Sequence, residues 1–127
     1  MTGSPTARGG GPDWRGPVLV LEDDAIIAMD LRDTLESAGA TVESVSRVDD
    51  AMDLLGTTPF AVALLDVDVA GTPSLPVARA LAERGVPFLW TTGYAGGDAL
   101  AAFPSAPVLQ KPYAPEEVLR RLAEVLG

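Results

Sequence analysis

The sequence contains neither histidine nor cysteine, and lysine occurs only once, at Lys111. The chain therefore cannot form disulfides, thiolate or imidazole metal sites, or a histidine-dependent nucleophile such as a Ser–His pair. No apolar run approaches the roughly 18 residues that a membrane span needs, and the first residues lack the apolar core of a secretory signal. A functional site in this protein must be built from carboxylates, hydroxyls, arginines, one ammonium group and the backbone.

Acidic residues outnumber basic ones by 18 to 9, which gives a formal net charge of −9. Such a surface repels phosphate, so we expect no direct nucleic-acid partner and, without an apolar span, no membrane partner. With no signal and no cysteine, a cytoplasmic location is the default expectation. The length of 127 residues and the apolar fraction of 47% predict one globular domain. Residues 1–16, with five glycines and two prolines, are predicted to be a flexible tail, and residues 17–127 the folded domain.

Apolar strand-like segments alternate with amphipathic helical patterns from Pro17 onward. The predicted strands are 17–22, 41–45, 60–66, 87–92 and 106–110. The predicted helices are 24–39, 47–56, 74–85, 96–103 and 115–126, with Pro76 expected to interrupt the third. This alternation predicts an α/β fold: a doubly wound, five-stranded parallel sheet in the flavodoxin-like order 2-1-3-4-5, with five helices in a three-layer sandwich.

Functional residues of such sheets collect where the strands end at their carboxyl edge. Four predicted strands end in polar residues, namely Glu22-Asp23-Asp24, Asp66 followed by Asp68, Thr91-Thr92-Gly93, and Gln110-Lys111-Pro112. Each has an ordinary structural explanation: Asp23 or Asp24 as a helix cap, Asp68 as a turn residue, and Lys111 as a solvated loop residue. Their occurrence at four strand ends that the predicted order brings together favours one functional site.

Carboxylates that cluster raise one another's pKa values unless a cation lies among them. Oxygen ligands without histidine or cysteine favour a hard divalent ion, Mg²⁺ or Mn²⁺. Such a site, with a hydroxyl and a lysine beside it, has the groups that phosphoryl transfer needs. Asp66, at the end of the central strand, is the predicted nucleophile and would become an acyl phosphate.

Four segments resemble the receiver domain of two-component response regulators. "VLVLEDD" resembles the first strand and its acidic pair, at Glu22 and Asp23, and "LLDVDVAG" the phospho-acceptor strand, with the acceptor at Asp66. "TTGY" carries the switch hydroxyl at Thr92, and "QKPY" the lysine at Lys111, where the Lys-Pro bond is often cis in the family. The resemblance extends over residues 18–126.

The resemblance implies that Mg²⁺ is held by Asp23, Asp66 and the backbone carbonyl of Asp68, with Glu22 assisting. It implies a phosphoryl group delivered by the phosphohistidine of a sensor histidine kinase or histidine phosphotransfer protein. Thr92 and Lys111 would then bind the phosphate and report it to the rest of the domain. A receiver with no output segment is expected to act in a phosphorelay by phosphorylation-dependent protein binding, with an unknown target, and not as a turnover enzyme.

The sequence departs from the common receiver pattern at two positions. Val108 replaces the aromatic switch residue three positions before the lysine, and Ala70 replaces a proline common four residues after the acceptor. "PSLPVARALAERGVPFLWTTGY" resembles a stand-alone alphaproteobacterial subgroup with a Phe-Ala-Thr-Gly-Tyr-like fourth strand, which implies an HWE-type kinase as a partner. Asp68 and Tyr94 occupy the positions that tune phosphoryl lifetime in the family.

Two alternatives stay open at this point. "LLDVDV" also fits the Asp-x-Asp-x-Val signature of haloacid-dehalogenase-type phosphatases, in which Asp68 would be essential, although that family places its nucleophile on the first strand. The other alternative is a degenerate receiver that binds partners without phosphorylation, which the complete set of site residues disfavours.

Overall fold

The computed structural model describes residues 12–93 and 97–127. Within those ranges the chain forms a parallel sheet and a small antiparallel hairpin. The strands of the parallel sheet are β1 (Val18–Leu21), β2 (Val42–Val45), β3 (Val62–Asp66), β6 (Phe88–Thr92) and β7 (Val108–Gln110). The hairpin strands are β4 (Asp68–Val69) and β5 (Thr72–Pro73). The helices are α1 (Ala25–Ser37), α2 (Val48–Leu55), α3 (Leu75–Glu83), α4 (Asp98–Ala102) and α5 (Pro115–Leu126).

The parallel sheet has the order β2-β1-β3-β6-β7, which confirms the predicted flavodoxin-like order 2-1-3-4-5 once the hairpin strands are left out of the count. All four neighbouring pairs are parallel, as crossover helices require. Side chains of each central strand alternate between two apolar clusters, one on each face: Leu19 and Leu65 enter one cluster, Val20 and Leu64 the other. Burial on both faces explains why these strands are continuously apolar.

Local sequence signals set most of the helix ends. The side chain of Asp24 accepts hydrogen bonds from the first turn of α1, and Gly39, with φ of 96°, follows the C-cap in the left-handed conformation that glycine adopts without strain. The expected interruption of the third helix at Pro76 is wrong. Pro76 lies in the first turn of α3, where the missing N–H has no helical partner to lose.

The β4–β5 hairpin was not predicted. Its two-residue turn, Ala70-Gly71, joins strands of two residues each, too short to give an alternating pattern in the sequence. The prediction that Asp68 is a turn residue is therefore wrong, because Asp68 lies in β4 and pairs with Pro73.

Trp14, near the start of the described residues, packs against the end of α1. The indole Nε1 of Trp14 donates a hydrogen bond of 2.8 Å to the carbonyl of Ala38, and its ring contacts the apolar cluster beside α1 and α5. Trp14 is thus an exception to the expectation that residues 1–16 bury little; residues 1–11 lie outside the described part. Across the described ranges, no helix combines the length and apolar character needed to cross a membrane.

Candidate functional site

Three carboxylates meet at the carboxyl edge of the parallel sheet. Glu22 follows β1 and Asp66 ends the neighbouring β3, while Asp23 comes one residue after Glu22. One carboxylate oxygen from each of these three residues lies within 4.8 Å of the other two. The strand order predicted from the sequence is therefore what brings these acids together.

Lys111 joins this acidic cluster from β7, two strands away from β3. Its Nζ donates hydrogen bonds to Oε1 of Glu22 at 2.8 Å and to Oδ2 of Asp66 at 3.1 Å. Lys111 is held in place by its own backbone N–H, which donates to the carbonyl of Thr92 at 2.7 Å. The Lys111–Pro112 peptide bond is cis, as the resemblance predicted.

Neighbouring Asp23 and Asp24 have different tasks. Oδ1 of Asp24 accepts hydrogen bonds from the backbone N–H groups of Ile26 and Ile27, at 2.9 and 3.1 Å, and so caps α1. Asp23 instead points to the cluster, where its Oδ2 accepts a hydrogen bond of 2.9 Å from the backbone N–H of Ala70. The helix-cap explanation thus applies to Asp24 and leaves Asp23 available for the site.

The charges of the site are unbalanced, with three carboxylates around one ammonium group. Burial raises the pKa of Glu22 above its ordinary value of 4.5, and the charge of Asp66 adds to the shift although Lys111 opposes it. Burial by itself lowers the pKa of Lys111, but its hydrogen bonds to Glu22 and Asp66 outweigh that effect and raise it above 10.5. The raised pKa of Glu22 and the raised pKa of Lys111 have one physical cause. The ammonium has two carboxylates to balance its charge, whereas the two carboxylates share a single ammonium.

The strand that follows β3 in the sheet contributes two buried threonines. Thr91 pairs in register with Asp66, and Thr92 is the last residue of β6; each is 2% exposed. On the next strand Val108, the position of the missing aromatic, pairs with Trp90, which is fully buried. Tyr94, the predicted lifetime residue, lies outside the described residues.

Asp68 takes part through its backbone. Its N–H donates to Oδ1 of Asp66 over a long 3.4 Å, whereas its side chain is exposed. Within the described ranges, the group of acids that can share a metal ion consists of Glu22, Asp23 and Asp66, without Asp68. This placement gives no support to an essential Asp68 side chain, and the implied use of the Asp68 backbone carbonyl stays a prediction.

Sequence analysis missed Ser74 as a residue of the site. Ser74 is completely buried, and its hydroxyl hydrogen-bonds the backbone carbonyl of Asp66 and lies 3.0 Å from that of Val67. Its backbone N–H donates to the same Val67 carbonyl at 3.1 Å. Ser74 therefore fixes the main chain directly after the predicted acceptor. No sequence pattern around Ser74 predicts this role.

The donor set of the cluster fits a hard divalent cation. All its ligand atoms are carboxylate oxygens, and the three acids carry two more negative charges than Lys111 neutralises. An all-oxygen, acidic set of this kind suits Mg²⁺ or Mn²⁺ and is unsuited to softer metals, which prefer sulfur or imidazole ligands.

Solved structures of several proteins are similar to this chain over most of its length. SdrG from Sphingomonas melonis is 36% identical, with a TM-score of 0.74 over 88% of this chain and 97% of that one. A response regulator receiver protein from Burkholderia phymatum is 27% identical, with a TM-score of 0.78 over 89% and 96%. A CheY-like receiver domain protein from Methanospirillum hungatei, at 23% identity, has a TM-score of 0.79 over 87% and 93%.

A scan against protein-family models and a search of curated proteins match nothing. The sequence is nevertheless 36% identical to SdrG over nearly the whole length of that protein. Several of the other similar structures are receiver domains of response regulators. The sheet order and the acidic edge with its lysine are what the resemblance led us to expect of such a domain. On these grounds the chain has the receiver-domain fold of response regulators.

Proposed function

We propose that this protein accepts a phosphoryl group on Asp66 from the phosphohistidine of a sensor histidine kinase or histidine phosphotransfer protein. The phosphorylated form then signals by binding another protein. The observation that carries this proposal is the contact of Lys111 Nζ with both Asp66 and Glu22, beside three acids that can share one cation. A structural ion pair would need one carboxylate, whereas here the ammonium contacts two and the carboxylate of Asp23 lies beside them.

The transfer step follows from the position of Asp66. One of its carboxylate oxygens attacks the phosphorus, an O–P bond forms as the P–N bond breaks, and the histidine nitrogen leaves with the electron pair. Lys111, already bonded to Oδ2 of Asp66, is placed to move its ammonium to the new phosphoryl oxygens. Ser74 holds the Asp66 main chain, so that the side chain keeps its aim during the step.

A divalent cation would be held by the carboxylates of Asp23 and Asp66 and the backbone carbonyl of Asp68, with Glu22 assisting. When bound, this cation supplies positive charge beside the phosphoryl oxygens. Thr92, buried at the end of β6, offers a hydroxyl that could hydrogen-bond one of those oxygens. We propose that this contact, together with that of Lys111, reports phosphorylation to β6 and β7.

We further propose that the protein belongs to the stand-alone subgroup with a Phe-Ala-Thr-Gly-Tyr-like fourth strand, and that its kinase is of the HWE type. Strand β6 supports this assignment, since its sequence "FLWTT" keeps an aromatic side chain at Trp90, next to the small Val108 on β7. The protein would then work as a phosphorylated signalling carrier with at most self-catalysed loss of its phosphoryl group.

The proposal is tested by the intact mass of the protein after incubation with acetyl phosphate and Mg²⁺. We expect one phosphoryl adduct on the wild type, none on Asp66→Asn and one on Asp50→Asn, a matched control because Asp50 is an exposed acid on α2. The adduct should disappear when Mg²⁺ is chelated.

Three results would contradict the proposal. An adduct retained on Asp66→Asn would move the acceptor to another residue. Continuous release of inorganic phosphate from small phosphomonoesters, abolished by Asp68→Ala, would favour a phosphatase. No adduct from acetyl phosphate or from any histidine kinase tested would favour a receiver that binds partners without phosphorylation.

A further inference from the structure

The β4–β5 turn places an alanine where glycine is the usual residue. Ala70 and Gly71 form a two-residue hairpin turn with φ values of 52° and 83°, the positive values that a type I′ turn requires. Among the described residues, Ala70 is the one non-glycine residue with positive φ. Its Cβ makes this conformation unfavourable, so other contacts must hold it.

The same residue makes the contact that reaches the acidic cluster. The backbone N–H of Ala70 donates a hydrogen bond of 2.9 Å to Oδ2 of Asp23, which is 47 residues earlier in the chain. A hydrogen bond to an ionised carboxylate is stronger than one between neutral groups. The proline that the resemblance leads us to expect at this position has no N–H, so this contact depends on a departure from the common pattern.

The hairpin is anchored in the core on both sides of the turn. Val69, directly before the turn, is 1% exposed, and Ser74, directly after β5, is completely buried. The hydroxyl of Ser74 hydrogen-bonds the Asp66 carbonyl. The position of the Ala70 N–H is therefore fixed relative to Asp66, another acid of the cluster.

We propose that Ala70 is a positioning residue for the metal site: its backbone N–H orients the carboxylate of Asp23 before a divalent cation binds. The proposal rests on the proposed function, in which Asp23 is a metal ligand. The N–H bonds one carboxylate oxygen and leaves Oδ1 for the ion, the arrangement in which outer contacts raise metal affinity without displacing a ligand. The hairpin after the acceptor strand is in this view a structural support for the acid on the neighbouring strand.

The test measures the Mg²⁺ dissociation constant of the unphosphorylated protein by titration calorimetry. Ala70→Pro removes the N–H and should weaken Mg²⁺ binding about tenfold or more. Because the proline ring fixes φ at about −65°, this substitution also changes the turn from its φ of 52°, so the amide-exchange measurement below decides whether the N–H is responsible. Ala70→Gly keeps the N–H and adopts positive φ without strain, so its dissociation constant should stay within about twofold of the wild type.

Gly71→Ala is a control for mild strain in the turn, and it disturbs the backbone less than proline at position 70 does. It puts a Cβ at φ of 83°, as strained as Ala70, but an added Cβ there meets no atom within 4 Å and the Ala70 N–H is kept. We expect a dissociation constant within about threefold of the wild type, since the cost of a Cβ at positive φ is modest. If Gly71→Ala weakens binding as much as Ala70→Pro, the turn conformation and not the N–H is responsible, and the proposal is overturned.

Amide hydrogen exchange in the metal-free protein gives a second, independent result if Ala70→Pro fails to fold. The Ala70 amide should be protected in the wild type and should exchange at least about tenfold faster in Asp23→Ala, which lacks the acceptor. Equal exchange in the two proteins overturns the proposal, as does wild-type affinity for Mg²⁺ in a folded Ala70→Pro. A wild type that binds no Mg²⁺ would overturn the metal site of the proposed function as well, which the phosphorylation assay detects separately.

Discussion

Lys111 lies between Glu22 and Asp66, with its Nζ 2.8 Å from Oε1 of the first and 3.1 Å from Oδ2 of the second. The side chains of the three residues are 19%, 1% and 13% exposed, so water screens this contact much less than a surface ion pair. The single lysine of the chain thus neutralises part of a carboxylate cluster that would otherwise repel itself.

Replacing Lys111 by methionine should lower the free energy of unfolding by about 1–3 kcal/mol at pH 7 without metal, because two buried acids lose their charged donor. Urea denaturation measures this change. Arg120→Met is the control: Arg120 and Glu124 form an exposed pair at 3.2 Å, and its loss should cost at most about 1 kcal/mol. Equal effects of the two substitutions would show that Lys111 contributes no more than a surface charge.

Glu22 should destabilise the metal-free protein at neutral pH. The pKa of Glu22 in the folded protein is raised above 4.5, chiefly by burial. Its favourable contribution to the free energy of unfolding is therefore complete below pH 4.5 and is lost as the pH rises through the pKa of the folded state. Glu22→Gln removes this loss while keeping an oxygen that can accept from Lys111. We therefore expect the variant to be at least as stable as the wild type at pH 7, with any difference in the free energy of unfolding vanishing as the pH falls toward 4.5.

Mg²⁺ should make the wild type more stable than Glu22→Gln, the reverse of the order expected without metal. At a hundred times its dissociation constant a ligand stabilises the native state by about 2.7 kcal/mol, and the wild type should gain this amount. Glu22→Gln, with one carboxylate fewer, should gain less at the same Mg²⁺ concentration. Melting curves with and without Mg²⁺ measure both effects. A variant clearly less stable than the wild type without metal would contradict the assigned direction of the Glu22 pKa.

The sequence was sufficient to predict the parallel sheet and the acids at its edge. The apolar segment 60–66, which contains β3, and the periodic pattern of α5 are strong local signals, and the parallel order then decides which strand ends meet. Glu22, Asp66 and Lys111 are 44 to 89 positions apart, yet each follows or ends a strand, so strand order alone brought them together.

The β4–β5 hairpin and the contacts of Ser74 could not be predicted in the same way. Strands of two residues have no periodicity, and the turn contains alanine where the sequence signal for a type I′ turn is asparagine or glycine. The burial of Ser74 depends on tertiary packing over the Asp66 carbonyl, which no spacing rule encodes. The division of tasks between Asp23 and Asp24 likewise needed the position of Ala70.

Tyr113 carries a buried hydroxyl that hydrogen-bonds to nothing in the described part of the chain. Tyr113→Phe should leave the free energy of unfolding at pH 7 unchanged or raise it by up to about 2 kcal/mol, because an unpaired polar atom is removed from the interior. Burial, followed by the charges of Glu22, Asp66 and Asp30, raises the pKa of this phenol above its ordinary value of 10.0.

The pH dependence of stability distinguishes this effect from simple repacking. The pKa of Tyr113 is raised in the folded protein, so its contribution to the free energy of unfolding is complete below pH 10.0. This contribution is lost as the pH rises above 10.0, because the phenol then ionises in the unfolded chain before it ionises in the folded one. The wild type should therefore lose stability faster than Tyr113→Phe between pH 10 and 11.5 in urea titrations. Lys111, whose raised pKa acts in the same range, is present in both proteins and cancels. Parallel curves would mean that the hydroxyl is hydrated.

The first two turns of α1 expose apolar side chains next to the site. Ile26 is 73% exposed and Met29 62% exposed, and α1 begins directly after the acidic residues of the cluster. Under the proposed function, a protein that brings a phosphohistidine to Asp66 can contact this exposed apolar surface, whereas acetyl phosphate need not touch it. Exposed apolar groups beside a reactive site are typical of surfaces that a partner covers.

Met29→Asp should therefore slow phosphoryl transfer from any histidine kinase that labels the wild type by about tenfold or more, as loss of an interface anchor does. Labelling by acetyl phosphate should stay at the wild-type rate, because Asp66 and its cluster are untouched. Met52→Asp is the matched control, since Met52 is an exposed methionine, 39% accessible, on α2. Slowing by both substitutions would indicate a general effect of added negative charge, and slowing by neither would place the kinase on another face of the domain.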